Sequence, residues 1–214
     1  MNHRIVNVSR NDHFWDVTIE NIETNTTFKH QYDAILVCNG RYAKPFQPDI
    51  QGIHSFKGIV SHSHDYRIPN NFANQNVLIL GAGPSGIDIS LELSEFANSV
   101  ILCHKQKQPY KQIPDNVKQE ICTIKAISND EIQLDNGNRY KNIDTIIFCT
   151  GYNYDFDFLD PNCGIHVNKN GRIQGVYLHL INFTHPSMAI WSIPKTILPF
   201  PLFHNQVIPS IFQT

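Results

Sequence analysis

Asn76-Val-Leu-Ile-Leu-Gly81-Ala-Gly83-Pro84-Ser85-Gly86 is the stretch whose reading decides the fold. The apolar run before Gly81 predicts a buried strand over 76–80. G-x-G-x-x-G then predicts a tight turn, and the run from Ile87 to Phe96 predicts a helix over 85–97. Strand, glycine turn and helix in that order are the context of a dinucleotide-binding turn. The first glycine permits the bend, the second lets the backbone approach a pyrophosphate, and the third lets the helix pack on the strand. The helix N-terminus offers free N–H groups and partial positive charge to phosphate. Gly81, Gly83, Pro84, Ser85 and Gly86 are therefore candidate nucleotide-binding residues. An ordinary strand–turn–helix corner is the plainer alternative.

Downstream, Val100-Ile-Leu-Cys103 reads as a second strand, over 99–103. A dinucleotide with a free ribose 2′-hydroxyl calls for an acidic residue about 20 positions after the first glycine. Here that place reads Cys103-His104-Lys105-Gln106-Lys107, without a carboxylate. His104 and Lys105 suit a 2′-phosphate, which favours NADPH over NADH, against the alternative of a solvated basic loop.

Working outward, Tyr32-Asp-Ala-Ile-Leu-Val-Cys-Asn39-Gly40 is echoed by Ile143-Asp-Thr-Ile-Ile-Phe-Cys-Thr150-Gly151. Both read D-x-I-[IL]-[VF]-C-[NT]-G, a buried parallel-type strand stopped by glycine. Polar-turned strand patterns precede each copy: 5–8, 15–21 and 27–30 before the first, 120–126 and 132–134 before the second. The second copy completes a nucleotide-binding unit with its returning strand at 143–149. The first has no β-α-β pattern before it, and its strand 34–38 is expected to lack parallel neighbours. The division expected is a remnant domain over 1–40, a Pro-rich crossing over 41–75, a nucleotide domain over 76–151, and a return to the first domain over 152–214.

Composition narrows the function. The chain has 214 residues, is 41% hydrophobic and carries a net charge of -2. There is no basic field for nucleic acid and no polybasic juxtamembrane run. No signal or spanning segment is read, because prolines cut the apolar stretch after Ile190, and a cytoplasmic protein is expected. Five cysteines without C-x-x-C read as buried free thiols in a reducing compartment. His62-Ser-His64-Asp65 lacks the spacing of a metallohydrolase site, and no nucleophile elbow, carboxylate pair or Walker motif is present.

Just upstream of the glycine turn, Phe56-Lys-Gly58-Ile-Val-Ser-His62-Ser-His-Asp-Tyr66 reads F-x-G-x-x-x-H-x-x-x-Y. With the glycine turn, the crossing Asn39-Gly-Arg-Tyr-Ala-Lys-Pro and Thr150-Gly151-Tyr152, this motif resembles the flavin-containing monooxygenases. Val176 to Asn182, His185 to Ala189 and Pro199 to Gln206 resemble their later flavin-side segments. The resemblance implies an α/β architecture: a Rossmann-like NADPH-binding domain with a β-meander, plus a FAD-binding domain that is incomplete here. It further implies NADPH and FAD as cofactors, with Asn39, Thr150 and Gly151 near them, and oxygen with a small nucleophilic nitrogen or sulfur compound as substrates. Phe56, Gly58, His62 and Tyr66 match the family's identifying motif. The family's N-terminal FAD-binding G-x-G-x-x-G is not found, and Ser192 stands where the family usually has glycine. Members of this family can be membrane-associated. A non-catalytic NADP-binding module and a relative of the pyridine-nucleotide-disulfide reductases are the rival readings.

Overall fold

The computed structural model describes residues 2–128, 130–194 and 201–206. The chain divides into two units, residues 1–44 with 152–214 and residues 45–151. The first unit opens with an antiparallel meander of β1 (His3–Arg10), β2 (Trp15–Asn21) and β3 (Thr26–Tyr32), followed by the short β4 (Ile35–Val37). Trp15 at the start of β2 is fully buried, and its indole N–H donates to Ser187 Oγ at 3.0 Å.

In the second unit, β5 (Ile59–His62), β6 (Asn76–Leu80), α1 (Pro84–Leu93), β7 (Ser99–His104) and β8 (Val117–Ile121) are followed by a meander and a returning strand. The meander comprises β9 (Ile124–Ser128), β10 (Glu131–Leu134) and β11 (Arg139–Tyr140), and β12 (Thr145–Phe148) returns. Five strands form one parallel sheet in the order β5-β12-β6-β7-β8. Alternate residues leave it on opposite faces. Val77, Ile79, Val100, Leu102 and Ile147 pack with Ile89 and Leu93 of α1. Leu78, Leu80, Ile101, Ile146 and Phe148 pack with Ile124, Ile127, Ile132 and Leu134 of the meander. The sheet is thus covered on both faces, which is why its strands read as continuous apolar runs.

Five sequence expectations are corrected here. The strand expected over 120–126 is two strands: Val117–Ile121 joins the parallel sheet, and Ile124–Ser128 opens the meander. The break falls at Cys122-Thr123, where Asp135 captures the Thr123 N–H (3.0 Å) and donates its own N–H to the Thr123 carbonyl. The helix ends at Leu93 rather than at 97. Ser90 and Ser94 turn their hydroxyls back to the carbonyls of Ile87 and Leu91, a local bond that competes with helix continuation. The Phe96 carbonyl then accepts from Asn74 N–H, which steers the chain towards β7. Residues 59–62, within the expected crossing, form the edge strand β5 of this sheet.

The fourth correction lies in the first unit, where the chain returns through β13 (Val176–Tyr177), β14 (Ile181–Asn182) and β15 (Met188–Ile190). β15 pairs in parallel with β4, placing Met188, Ala189 and Ile190 opposite Ile35, Leu36 and Val37. The first echo strand therefore does have a parallel neighbour, supplied from a segment some 150 residues later in the chain. A core of Val8, Trp15, Val17, Val37, Met188 and Ile190 lies beneath it. Cys38, by contrast, is exposed and departs from the buried-thiol expectation, while Cys103, Cys122, Cys149 and Cys163 are free and buried. No described helix is long and apolar enough to cross a membrane.

Candidate dinucleotide-binding site

The site lies at the C-terminal ends of β6 and β7, where open parallel sheets bind their ligands. Each glycine of the turn has a distinct physical reason. Gly81 has φ +106°, and a Cβ there would sit 2.6 Å from the Cys149 carbonyl oxygen. A Cβ on Gly86 would meet the Gly81 carbonyl oxygen at 1.9 Å, so only glycine lets α1 pack this closely on the turn. Around Gly83 nothing lies within 4 Å of a Cβ. A side chain there would point into open space.

Gly83 is also the N-cap of α1, and no side chain caps it. Pro84 occupies the first helical position, where the absent N–H costs nothing. The N–H groups of Ser85 and Gly86 follow it at the positive end of the helix. An anionic pyrophosphate fits this cradle on the donor chemistry alone.

The loop after β7 is tied over the turn. Gly81 N–H donates to the Cys103 carbonyl (2.8 Å), and Tyr110 donates its hydroxyl to the Ala82 carbonyl (3.0 Å). Gln119 of β8 holds Tyr110 in place through both its main-chain N–H and its carbonyl. Lys105, Gln106, Lys107, Gln108 and Tyr110 then line an open groove of about 630 Å³. His104 lies beneath this loop: it is 3% exposed, its ring meets Tyr110 edge-on at 5.2 Å, and neither ring nitrogen has a hydrogen-bond partner among the described residues. The exposed cations of the loop are Lys105, Lys107 and Lys111.

Tyr110 and Gln119 escaped the sequence reading. Their cue was an aromatic residue closing an otherwise polar loop, a pattern that ordinary packing also produces.

Phe56, Gly58, His62 and Tyr66 brace the site without lining the turn. A Cβ on Gly58 would strike the Asp144 carbonyl oxygen at 2.3 Å and the Phe56 ring at 2.7 Å. His62 is buried, and its Nδ1 accepts the His64 main-chain N–H at 3.0 Å. That bond leaves the proton on Nε2, which donates to the Gly151 carbonyl at 3.0 Å. Burial holds the His62 pKa below its usual value, in keeping with a neutral ring. Tyr66 stacks on Phe72 and donates to Glu92 of α1 at 2.7 Å. Burial first, and Glu92 second, raise its phenol pKa.

Thr150 and Gly151 follow β12. The Thr150 hydroxyl donates to the Phe46 carbonyl, and Gly151 (φ +83°) accepts from Phe46 N–H at 2.9 Å. The candidates from Gly81 to Lys105 and the pair Thr150–Gly151 thus occupy strand ends of one sheet. Asn39 belongs to the other unit, where its side-chain amide donates to the Asp155 carbonyl at 2.9 Å. Ser192, also in that unit, has φ +69°, the left-handed backbone that a glycine adopts without strain. No group of three potential metal ligands gathers among the described residues.

A parallel sheet with a glycine cradle, joined in one chain to a second unit with its own parallel strand pair, defines a protein of the two-dinucleotide-domain class. The chain belongs to the flavin-binding monooxygenase-like family, which it matches over residues 4–110 and 109–197. It is 34% identical over 180 residues to flavin-containing monooxygenase FMO GS-OX-like 2 of Arabidopsis thaliana, covering 82% of this chain and 38% of the relative. FMO GS-OX-like 3 of the same plant is 35% identical over 182 residues, covering 82% and 40%. Among solved structures, S-allyl-L-cysteine S-oxygenase from Allium sativum superposes with a TM-score of 0.82 at 31% identity, covering 95% of this chain and 47% of that one. Tmm from Pelagibacter sp. strain HTCC7211 superposes with a TM-score of 0.85 at 22% identity, covering 99% and 49%, a likeness of fold. The chain spans about two-fifths of the length of the curated relatives it matches.

Proposed function

We propose that this chain supplies the NADPH-binding unit, and part of the flavin-binding unit, of an FAD-dependent monooxygenase acting on soft sulfur or nitrogen nucleophiles. The observation that carries this reading is the open cradle at Gly83, with the Tyr110-anchored loop presenting Lys105 beside it. Family membership supports the flavin chemistry, and the Allium relative, an S-oxygenase, favours sulfur. When bound, NADPH supplies a hydride to the flavin, and the cofactors carry the difficult chemistry with oxygen.

The side chains and backbone of this chain bind and orient. Ser85 and Gly86 offer N–H groups to the pyrophosphate, and Gly83 lets it approach the backbone. Lys105 pairs with the 2′-phosphate, and His104 supports that loop from below through Tyr110. His62 holds Gly151, and with it the strand end beside the turn. Asn39 is assigned near the cofactors by family resemblance. No residue here is asked to act as a general acid or base, which agrees with the absence of such a constellation from the sequence.

Lys105→Ala tests the cofactor assignment. NADPH binding is expected to weaken by about 1–3 kcal/mol, the worth of a hydrogen bond to a charged group, while NADH is unaffected. Titration calorimetry with both nucleotides reads the difference, and equal losses would refute the 2′-phosphate contact. A nucleotide-binding module without turnover is the second reading. A visible absorbance spectrum of the purified chain separates the two, since bound flavin supports the monooxygenase.

A further inference from the structure

We infer, resting on the Lys105 contact proposed above, that Tyr110 is a positioning residue for cofactor selectivity. Clasped by Gln119 and latched to the glycine turn, it holds the basic loop where Lys105 meets a 2′-phosphate. The loop itself has little to fix its shape. Lys105, Gln106, Lys107 and Gln108 are exposed, and their side chains form no hydrogen bond or ion pair among the described residues. Pro109, next in line, has no N–H to give. The course of the loop is therefore set by its two ends.

At the first end, His104 closes β7 and pairs in parallel register with Ile121 of β8. At the other end Tyr110 makes three bonds. Its main-chain N–H donates to Gln119 Oε1 at 2.8 Å, and its carbonyl accepts from Gln119 Nε2 at 3.0 Å. Its hydroxyl donates to the Ala82 carbonyl, between the first two glycines of the turn, at 3.0 Å. Gln119 lies on β8 opposite Leu102 of β7, so the clasp is mounted on the sheet. The Tyr110 ring packs against the core beneath α1 and also lines the open groove beside Lys105. One side chain thus ties the loop to the sheet through its backbone and to the glycine turn through its hydroxyl.

Ordering an untethered loop when a ligand arrives costs backbone and side-chain entropy. A loop fixed beforehand leaves more of each charge-assisted bond available as affinity. That gain falls only to a ligand that uses Lys105. A nucleotide without the 2′-phosphate does not reach for the lysine, so the state of the loop is of little consequence to it. The Tyr110 hydroxyl therefore sets the preference between the two cofactors by acting through Lys105.

Calorimetric titration of the full chain with adenosine 2′,5′-bisphosphate and with adenosine 5′-monophosphate, which differ only in the 2′-phosphate, tests this. The wild type should bind the bisphosphate more tightly. Tyr110→Phe keeps the ring and loses the hydroxyl; it should weaken the bisphosphate about five- to tenfold and the monophosphate by less than about twofold. Gln119→Leu, which opens the clasp, should show the same selective loss. In a Lys105→Ala background, Tyr110→Phe should weaken the bisphosphate no further, a non-additivity that a merely structural role would not produce. Thermal midpoints establish that each variant is folded, and if Gln119→Leu is not, Tyr110→Phe decides alone. Unchanged bisphosphate binding in Tyr110→Phe, equal weakening of both ligands, or additive losses with Lys105→Ala overturns the role of Tyr110 and leaves the Lys105 contact standing. A wild type without preference for the bisphosphate overturns the Lys105 contact and the role of Tyr110 with it.

Discussion

The two echo strands share a pattern and differ in their surroundings. In the second unit, β12 pairs with a parallel strand on each side and every one of its residues is buried. In the first, β4 pairs only with β15 among the described residues. Leu36 is 48% exposed, whereas its counterpart Ile147 is 0% exposed. Cys38 is open to solvent and Cys149 is buried. A cleft of about 760 Å³ runs over β4, lined by residues that include Ile5, Val17, Ile35, Leu36 and Val37. Burial therefore follows the number of neighbouring strands and layers, which a strand's own residues do not encode.

The sharpest contrast should appear in thiol chemistry. A thiol reagent is expected to label Cys38 promptly in the folded chain and to reach Cys149 only on unfolding. Burial also pushes the Cys149 pKa up to about 12, which keeps the thiolate scarce. Mass-spectrometric mapping of the label decides this, and prompt modification of Cys149 would erase the distinction between the units.

Stability should divide the same way. Ile147→Ala is expected to destabilise the second unit by about 2–5 kcal/mol, while Leu36→Ala stays within about 0.5 kcal/mol. Both tryptophans, Trp15 and Trp191, lie in the first unit, so their fluorescence reports that unit selectively. Urea unfolding followed by circular dichroism and by fluorescence can therefore assign each loss. Comparable losses for the two variants would mean that β4 is as enclosed as β12.

A smaller effect separates the glycines. Gly86→Ala forces a Cβ against the Gly81 carbonyl and should cost about 1–3 kcal/mol. Gly40→Ala faces open space and suffers only its left-handed backbone (φ +73°), about 1 kcal/mol. The same pair of melting curves ranks them.

The smallest effect is a pH dependence confined to the second unit. The folded His62 pKa lies below its ordinary value of 6.5, so the unfolded chain binds the proton more readily. Its contribution is complete above that value and is lost as pH falls through 6.5 towards the folded pKa. Asp65 works against the depression and His64 with it. Thermal midpoints from pH 7.5 downwards should decline less steeply in His62→Gln, and parallel slopes would exclude His62 as the source.

Much of the second unit was legible beforehand because its signals are local. Strand 76–80, the glycine turn and the helix start each follow from neighbouring residues, and Gly81 and Gly86 are required by contacts within a few residues or at an adjacent strand end. The break at Cys122-Thr123 was not legible, since it depends on Asp135 reaching back across a turn. Nor was the bracing role of Phe56 to Tyr66, which rests on Asp144, Gly151 and Glu92.

Sequence alone therefore determined the class of fold, the glycine turn and the family resemblance, because the spacing of glycines and apolar residues acts over one turn or one strand. The tertiary structure decided which of two similar strands is enclosed, which tyrosine ties the basic loop to the turn, and which late strand pairs with β4. Those outcomes depend on residues brought together from distant parts of the chain. Packing and hydrogen bonding act through distance in space, and separation along the chain does not reveal it.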